Sequence, residues 1–164
     1  MADHAIVRTD NMFGTDNRSG LVSIEYMGSD GKTPTDIDNG NVLKIGALKD
    51  GEREIYVGSA PAAGDKIEDV VLVATPEVSY RRAEEWIGDF YNKAGIPARG
   101  YIMHSGSTFS VTADALDGTP DKGNVVAFGG STKLSATASD ANAIGTIIAV
   151  ETVKNVTFYV IRIK

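Results

Sequence analysis

The sequence predicts a mainly β protein with one α-helix (α+β), folded as a small antiparallel β-barrel-like domain with an extended N-terminal arm. Short runs rich in β-branched residues recur after residue 41, and turn residues separate them. The chain has 18 glycines against 5 prolines, which suits tight reversals between short strands. Its 164 residues are enough to bury the core of one domain without a crosslink.

Residues 1–40 form the predicted arm, because they are mostly Asp, Asn, Gly, Ser and Thr with short apolar clusters between them. Val22, Ile24 and Tyr26 alternate with polar neighbours and predict one strand, which flanking glycines separate from any longer core pattern. An extended segment of this kind can add a strand to a neighbour's sheet and place a side chain in a pocket. We therefore predict that Phe13, Val22, Ile24 and Tyr26 bind a partner, and that the arm becomes ordered there.

Residues 41–164 form the predicted β-rich domain, in which each strand lies between Gly, Asp, Asn or Pro turns. The predicted strands are Val42 to Ile45, Glu54 to Val57, Val70 to Ala74, Gly100 to Met103, Thr108 to Thr112, Asn124 to Phe128, Lys133 to Ala136, Ile144 to Val150 and Val156 to Ile163. Many short strands with turns at this spacing favour an antiparallel barrel.

A single amphipathic helix is predicted at about residues 79–94. Its apolar residues recur at three- and four-residue spacings, and charged residues fill the other face. Gly95 followed by Pro97 is a typical helix end. The apolar stripe consists of Tyr80, Ala83, Trp86, Ile87, Phe90, Tyr91 and Ala94. We expect these aromatic side chains to pack on the barrel as core, rather than to form a platform on which sugars stack.

Charge and composition exclude several classes of partner. The net charge is −6 with no run of Lys and Arg, so the sequence predicts no nucleic-acid partner. No stretch has the roughly 20 apolar residues of a membrane helix, and the N-terminus lacks the pattern of a signal peptide. We therefore predict no membrane association and synthesis in the cytoplasm. The absence of cysteine excludes disulfides and thiolate chemistry.

The sequence predicts no catalytic, cofactor-binding or metal-binding residues. His4 and His104 lack a nucleophile or carboxylate at a spacing that would make either one a catalytic base. Asp114, Asp117 and Asp121 do not match a calcium loop, so we interpret them as a solvated acidic turn. The expected protein is not an enzyme.

Several turn-and-strand segments together resemble the head decoration (capsid cement or auxiliary) proteins of tailed bacteriophages. The segments are DIDNGNVLKIGAL at 36–48, GEREIYVG at 51–58, DFYNKAGIPARGY at 89–101, STFSVTADAL at 107–116, KGNVVAF at 122–128, IGTIIAVE at 144–151 and FYVIRI at 158–163. They cover about half of the chain beyond residue 35. The sequence departs from the family pattern at Gly106-Ser107-Thr108, where a Gly-Asp turn is expected.

The resemblance implies a structural virion protein on the outer capsid surface, which bridges neighbouring major capsid subunits and so stabilises the head. The implied partner is the major capsid protein, and a homo-oligomer, with a trimer as one candidate, is implied on the capsid. The resemblance assigns no function to any individual residue of this chain.

Three other functions remain open at this stage. One is a tail-tube or head–tail joining subunit, which would form rings from the same kind of domain. Another is a glycan-binding module displayed on the particle, which needs an exposed aromatic platform. An enzyme has the least support, because the chain contains no recognisable nucleophile–base pair or metal cluster.

Overall fold

The computed structural model describes residues 4–8, 20–78, 86–137 and 139–164. Its regular structure there is almost entirely β, with only short 3₁₀ turns besides the strands. The strands are β1 Val7–Arg8, β2 Leu21–Tyr26, β3 Val42–Leu48, β4 Ile55–Ser59, β5 Val70–Val73, β6 Ala98–Ile102, β7 Thr108–Val111, β8 Leu116–Gly118, β9 Val125–Phe128, β10 Leu134–Thr137, β11 Gly145–Val153 and β12 Val156–Ile163. The prediction of a mainly β protein is confirmed.

Five strands form a closed barrel in the order β2-β4-β3-β5-β6, with β6 pairing back to β2. The strands β2 and β4 run parallel, and every other neighbouring pair is antiparallel. Closure removes the exposed sheet edges of these five strands. The predicted small barrel is therefore present, and it contains one parallel pair.

Alternate residues of the barrel strands fill its interior. Together with Ile37, which lies between β2 and β3, they form a buried cluster of Ile24, Ile37, Leu43, Val71, Val73 and Ala98. Gly58 faces it from β4, and a Cβ at Gly58 would lie 2.9 Å from Leu43 Cδ1 and 3.0 Å from Ile24 Cγ1. The absence of a side chain at Gly58 thus lets the two larger residues meet inside a narrow barrel.

The remaining strands form a seven-stranded sheet in the order β1-β7-β12-β11-β9-β10-β8. Only β8 and β10 are parallel neighbours. A second cluster joins this sheet to the outer side of the barrel, because it contains Val42 and Leu72 of the barrel together with Phe109, Ile147 and Ile161 of the sheet. The barrel and the sheet therefore share one core.

The extended arm predicted for residues 1–40 is not present over residues 20–40. The strand β2 lies inside the barrel and pairs with β4 and β6, and Ile24 is fully buried. Glu25, 2% exposed, is held by an ion pair with Lys49 Nζ. The glycines that suggested isolation make tight turns beside the strand instead, since Gly28 and Gly31 have positive φ angles.

The first described residues also belong to the domain. Ala5, Ile6 and Val7 are each at most 2% exposed, and β1 pairs antiparallel with β7. The Ile6 amide donates to Thr112 Oγ1 at 3.1 Å, and Ile6 O accepts from the Thr112 amide at 3.0 Å. Residues 4–8 are therefore an integral edge of the sheet.

The helix predicted for residues 79–94 is absent over residues 86–94, and residues 79–85 lie outside the described residues. Trp86 and Phe90 have extended backbone angles on either side of a 3₁₀ turn at Ile87–Asp89. The backbone groups of Asn92 and Ile37 are paired in both directions, at 2.8 and 2.9 Å. This long-range pairing uses the groups that helical hydrogen bonds would need, and it overrides the helical spacing of the apolar residues.

The turn after β2 makes one stability contribution depend on pH. Asp30 accepts hydrogen bonds from the Thr33 hydroxyl and from the amides of Thr33 and Lys32, and these, led by the hydroxyl, lower its pKa from 3.8 to about 2. A carboxyl whose pKa is lower in the folded state stabilises the fold above its unfolded pKa and loses that effect as it protonates. We expect the Asp30→Ala variant to lose less stability than the parent as the pH falls from 3.8 to about 2.

Urea unfolding midpoints at a series of pH values test this expectation. Thr33→Ala, which removes the largest of the contributing hydrogen bonds, should reduce the pH dependence in the same direction. Parallel curves for the parent and the Asp30 variant would contradict it.

Candidate partner-binding surface

The strands β11 and β12 form the longest hairpin of the structure, with 9 and 8 residues. They pair from Gly145–Ile163 to Val153–Val156. The connection is the two-residue turn Lys154-Asn155, in which φ is 49° and 68°. Positive φ at both central residues is the geometry of a type I′ turn, which matches the natural twist of two antiparallel strands.

This hairpin extends beyond the strands on either side of it. On one side, β9 pairs with β11 only at Gly145 and Thr146, and the backbones of Gly123 and Asn124 then cover Ile147. From residue 148 onward, no described strand pairs with that side of β11. We call residues 148–153 the β11 overhang.

The β11 overhang exposes aliphatic side chains. Ile148, Val150 and Val153 are 44%, 41% and 42% exposed. A β-bulge interrupts the pairing with β12 between Ile147 and Ala149. Ile147 is fully buried, and the next residue, Ile148, lies on the exposed face of the strand. Exposed apolar side chains grouped along one strand are typical of a surface that binds another protein.

A recess of about 550 Å³ lies beside the start of the overhang. Its lining includes Ile148, the side chains of His104 and Arg162, and the hydroxyl-bearing Ser105, Ser107 and Thr108. The His104 and Arg162 side chains make no hydrogen bond or ion pair with any described residue. Because Arg is always charged, this basic recess gives an acidic chain a local site for a partner's carboxylate.

The three predicted site residues that the structure describes, Val22, Ile24 and Tyr26, do not form an exposed binding surface. Ile24 is inaccessible, and Val22 and Tyr26 are half-buried against the barrel interior. Phe13 lies outside the described residues. The assignment of Ile24 to a partner pocket is therefore corrected, because the alternation that suggested binding is that of a strand with one face in its own core.

The sequence predicted both strands of the hairpin but not its overhang. The available signal was a difference in length, since β11 and β12 are about twice as long as β7 and β9. A strand that outruns its neighbours must project beyond them. Residues such as Val150 are exposed because they lie on the part of β11 that extends beyond the neighbouring strands.

The described part of the chain contains neither a cluster of metal ligands nor a helix that could span a membrane. Within residues 4–8, 20–78, 86–137 and 139–164, no three His, Asp or Glu side chains lie together as a metal site. No helix there has the length and apolar character needed to cross a membrane.

Comparison with known proteins identified no matching family model, curated protein or solved structure. The fold itself defines a mainly β protein in which a closed five-stranded barrel packs on a seven-stranded sheet. In the described part of the chain, its surface includes the β11 overhang with the adjoining basic recess.

Proposed function

We propose that this chain is a structural virion protein that binds the outer surface of a tailed-phage capsid and stabilises it by bridging neighbouring major capsid subunits. The resemblance of its strand and turn segments to head decoration proteins supports the proposal. The observation that carries the docking step is the row of exposed aliphatic side chains on the β11 overhang. Pairing of a capsid strand with β11 would add main-chain hydrogen bonds to the burial of these side chains.

Stabilisation requires contacts with more than one capsid subunit. Separation of two subunits then also breaks the contacts that the decorating protein makes with each of them. A standard interface buries roughly 1,200–2,000 Å² in total, and linked interfaces reinforce one another without any single strong contact. Association of several copies, such as a trimer, would multiply the number of linked contacts.

The charge of the chain indicates which kind of partner surface it can bind. The net charge of −6 favours a neutral or basic docking surface, because like charges across an interface disfavour association. The basic recess adds one local requirement, a carboxylate placed to reach Arg162. The partner surface is thus expected to be neutral or basic overall, with an acidic side chain beside an apolar strand.

The double variant Val150→Lys/Val153→Lys tests the docking surface. We expect its affinity for heads that lack the protein to fall at least about tenfold, equivalent to 1.4 kcal/mol, because two apolar contacts are replaced by charges that need water. Co-sedimentation of purified protein with such heads measures the affinity.

The matched control is Leu48→Lys/Ile96→Lys, which makes the same change in charge at two other exposed aliphatic residues, 45% and 59% exposed. This control should bind like the parent protein. Equal binding by both double variants and the parent would place the docking surface elsewhere. Copy number by mass spectrometry of virions separates the roles, since only a few copies per particle would indicate a joining or tail subunit.

A further inference from the structure

Trp86 is the single tryptophan of the chain, and it lies at the surface with 43% of its area exposed. The sequence predicted it as part of a buried helical stripe, but the extended backbone at Trp86 turns it out of the core. An exposed indole is costly in water and is common where proteins bind ligands.

The backbone holds the indole in one place. A Cβ at Gly88 would lie 2.4, 2.7 and 2.8 Å from Cζ3, Cε3 and Cη2 of Trp86, so the six-membered ring occupies the space that any other residue would need. The Asp89 amide donates to Trp86 O at 2.9 Å, and Gly88 O accepts from the His4 amide at 3.1 Å. The indole ring therefore packs against the backbone at Gly88, a contact that a larger residue there would not allow.

Trp86 lines a recess of about 400 Å³ that we call the Trp86 recess. The volume lies within the roughly 300–1,000 Å³ typical of small-ligand sites. Its other lining residues include Thr112 and Asp114 after β7, and Lys154, Asn155 and Thr157 at the tip of the hairpin. The tight Lys154-Asn155 turn fixes the position of the tip relative to β12.

The chemistry of the lining favours an uncharged ligand with many hydroxyl groups. Asp114 and Lys154 give one negative and one positive group, while Asn155 offers an amide that both donates and accepts. An anion would face Asp114, and a purely apolar peptide would displace water from the carboxylate and the amide without replacing its hydrogen bonds. A sugar ring satisfies both requirements, since its C–H face packs on an indole and its hydroxyls bond to carboxylate and amide groups.

We propose that the Trp86 recess binds a neutral sugar residue of a glycan. The recess lies along β12 and the residues after β7, and it adjoins the β11 overhang at the hairpin tip, where Val153 pairs with Val156. This inference goes beyond the proposed function and holds for the isolated protein, so its test does not depend on capsid binding.

Tryptophan fluorescence of the intact chain reports directly on this recess, because Trp86 is the only indole. The probes are glucose, galactose, mannose and N-acetylglucosamine. Each sugar is tested as the monosaccharide and as a trisaccharide composed of that sugar alone. We expect a saturable change in emission with at least one of them, with a Kd on the order of 1 mM. A glycan array with the same protein extends the search to longer chains.

Two variants separate binding from nonspecific quenching. Asp114→Ala should weaken binding at least tenfold, while Asp117→Ala, an exposed Asp outside the recess, should bind like the parent. Gly88→Ala should abolish binding because the added methyl displaces the ring, and circular dichroism checks that each variant is folded.

The result that overturns the proposal is the absence of a saturable response to every sugar probe together with a silent array. An equal affinity for Asp114→Ala and the parent would overturn it as well. A response to apolar peptides without any response to sugars would reassign the recess to a protein contact and would also refute the proposal.

Discussion

The Ile24→Ala variant is expected to lower the free energy of unfolding by about 2–5 kcal/mol. Ile24 is fully buried in the barrel interior, where it packs with Leu43 and Val71. Its side chain fills the space beside Gly58, which has no side chain of its own. Removal of three carbon atoms there loses apolar burial and leaves a cavity in a closed barrel that has little room to relax. Urea or thermal unfolding followed by circular dichroism measures the loss.

Ile96→Ala is the matched control, because it makes the same chemical change at an isoleucine that is 59% exposed. Its effect should stay within about 0.5 kcal/mol. If the two variants were equally stable, Ile24 would not be a core residue, and the earlier expectation that it occupies a partner's pocket would regain support.

Deletion of residues 1–31 is expected to abolish cooperative folding. The deletion removes β2, which closes the barrel by pairing with β4 on one side and β6 on the other. Both neighbours would then have unpaired edges, and the interior would lose Ile24. A folded domain is usually stable by only roughly 5–15 kcal/mol, so the loss of a whole central strand leaves little to hold the fold. Unfolding curves and NMR dispersion of the truncated chain test this expectation.

A chain that begins at Gly20 is the control for this deletion. It keeps the whole barrel but loses β1 and the buried side chains of Ala5, Ile6 and Val7. We expect this chain to unfold cooperatively at a lower urea concentration than the parent. A deletion of residues 1–31 that unfolded at the parent's midpoint would show that β2 is dispensable. Capsid-binding data on such truncations need this comparison, since loss of binding could follow from loss of the fold.

The sequence identified most of the strands because local signals define them. β12 was predicted with its observed bounds, Val156–Ile163, and β5 was predicted within one residue of Val70–Val73. In both cases β-branched residues form a run that turn residues end on each side. Between β11 and β12, the positive φ angles of Lys154 and Asn155 give the tight reversal that ends both runs.

The errors concern residues whose structure depends on distant partners. The alternation in Leu21–Tyr26 is visible in the sequence, but the strands that cover it follow up to about 80 residues later, so nothing local separates a core strand from a free arm. The apolar spacing around Trp86 and Phe90 fits a helix equally well until Asn92 pairs with Ile37. The candidate site was missed for a similar reason, because the overhang of β11 depends on where β9 ends.

The core that the barrel and the sheet share has a consequence for attempts to divide the protein. Val42 and Leu72 would lose their cover if the sheet were removed, and Phe109 and Ile161 would lose theirs if the barrel were removed. Neither half is therefore expected to fold alone. A chimaera that exchanges one half must also redesign the apolar interface between the two halves. Heat should melt both halves in a single transition, since each half covers apolar residues of the other.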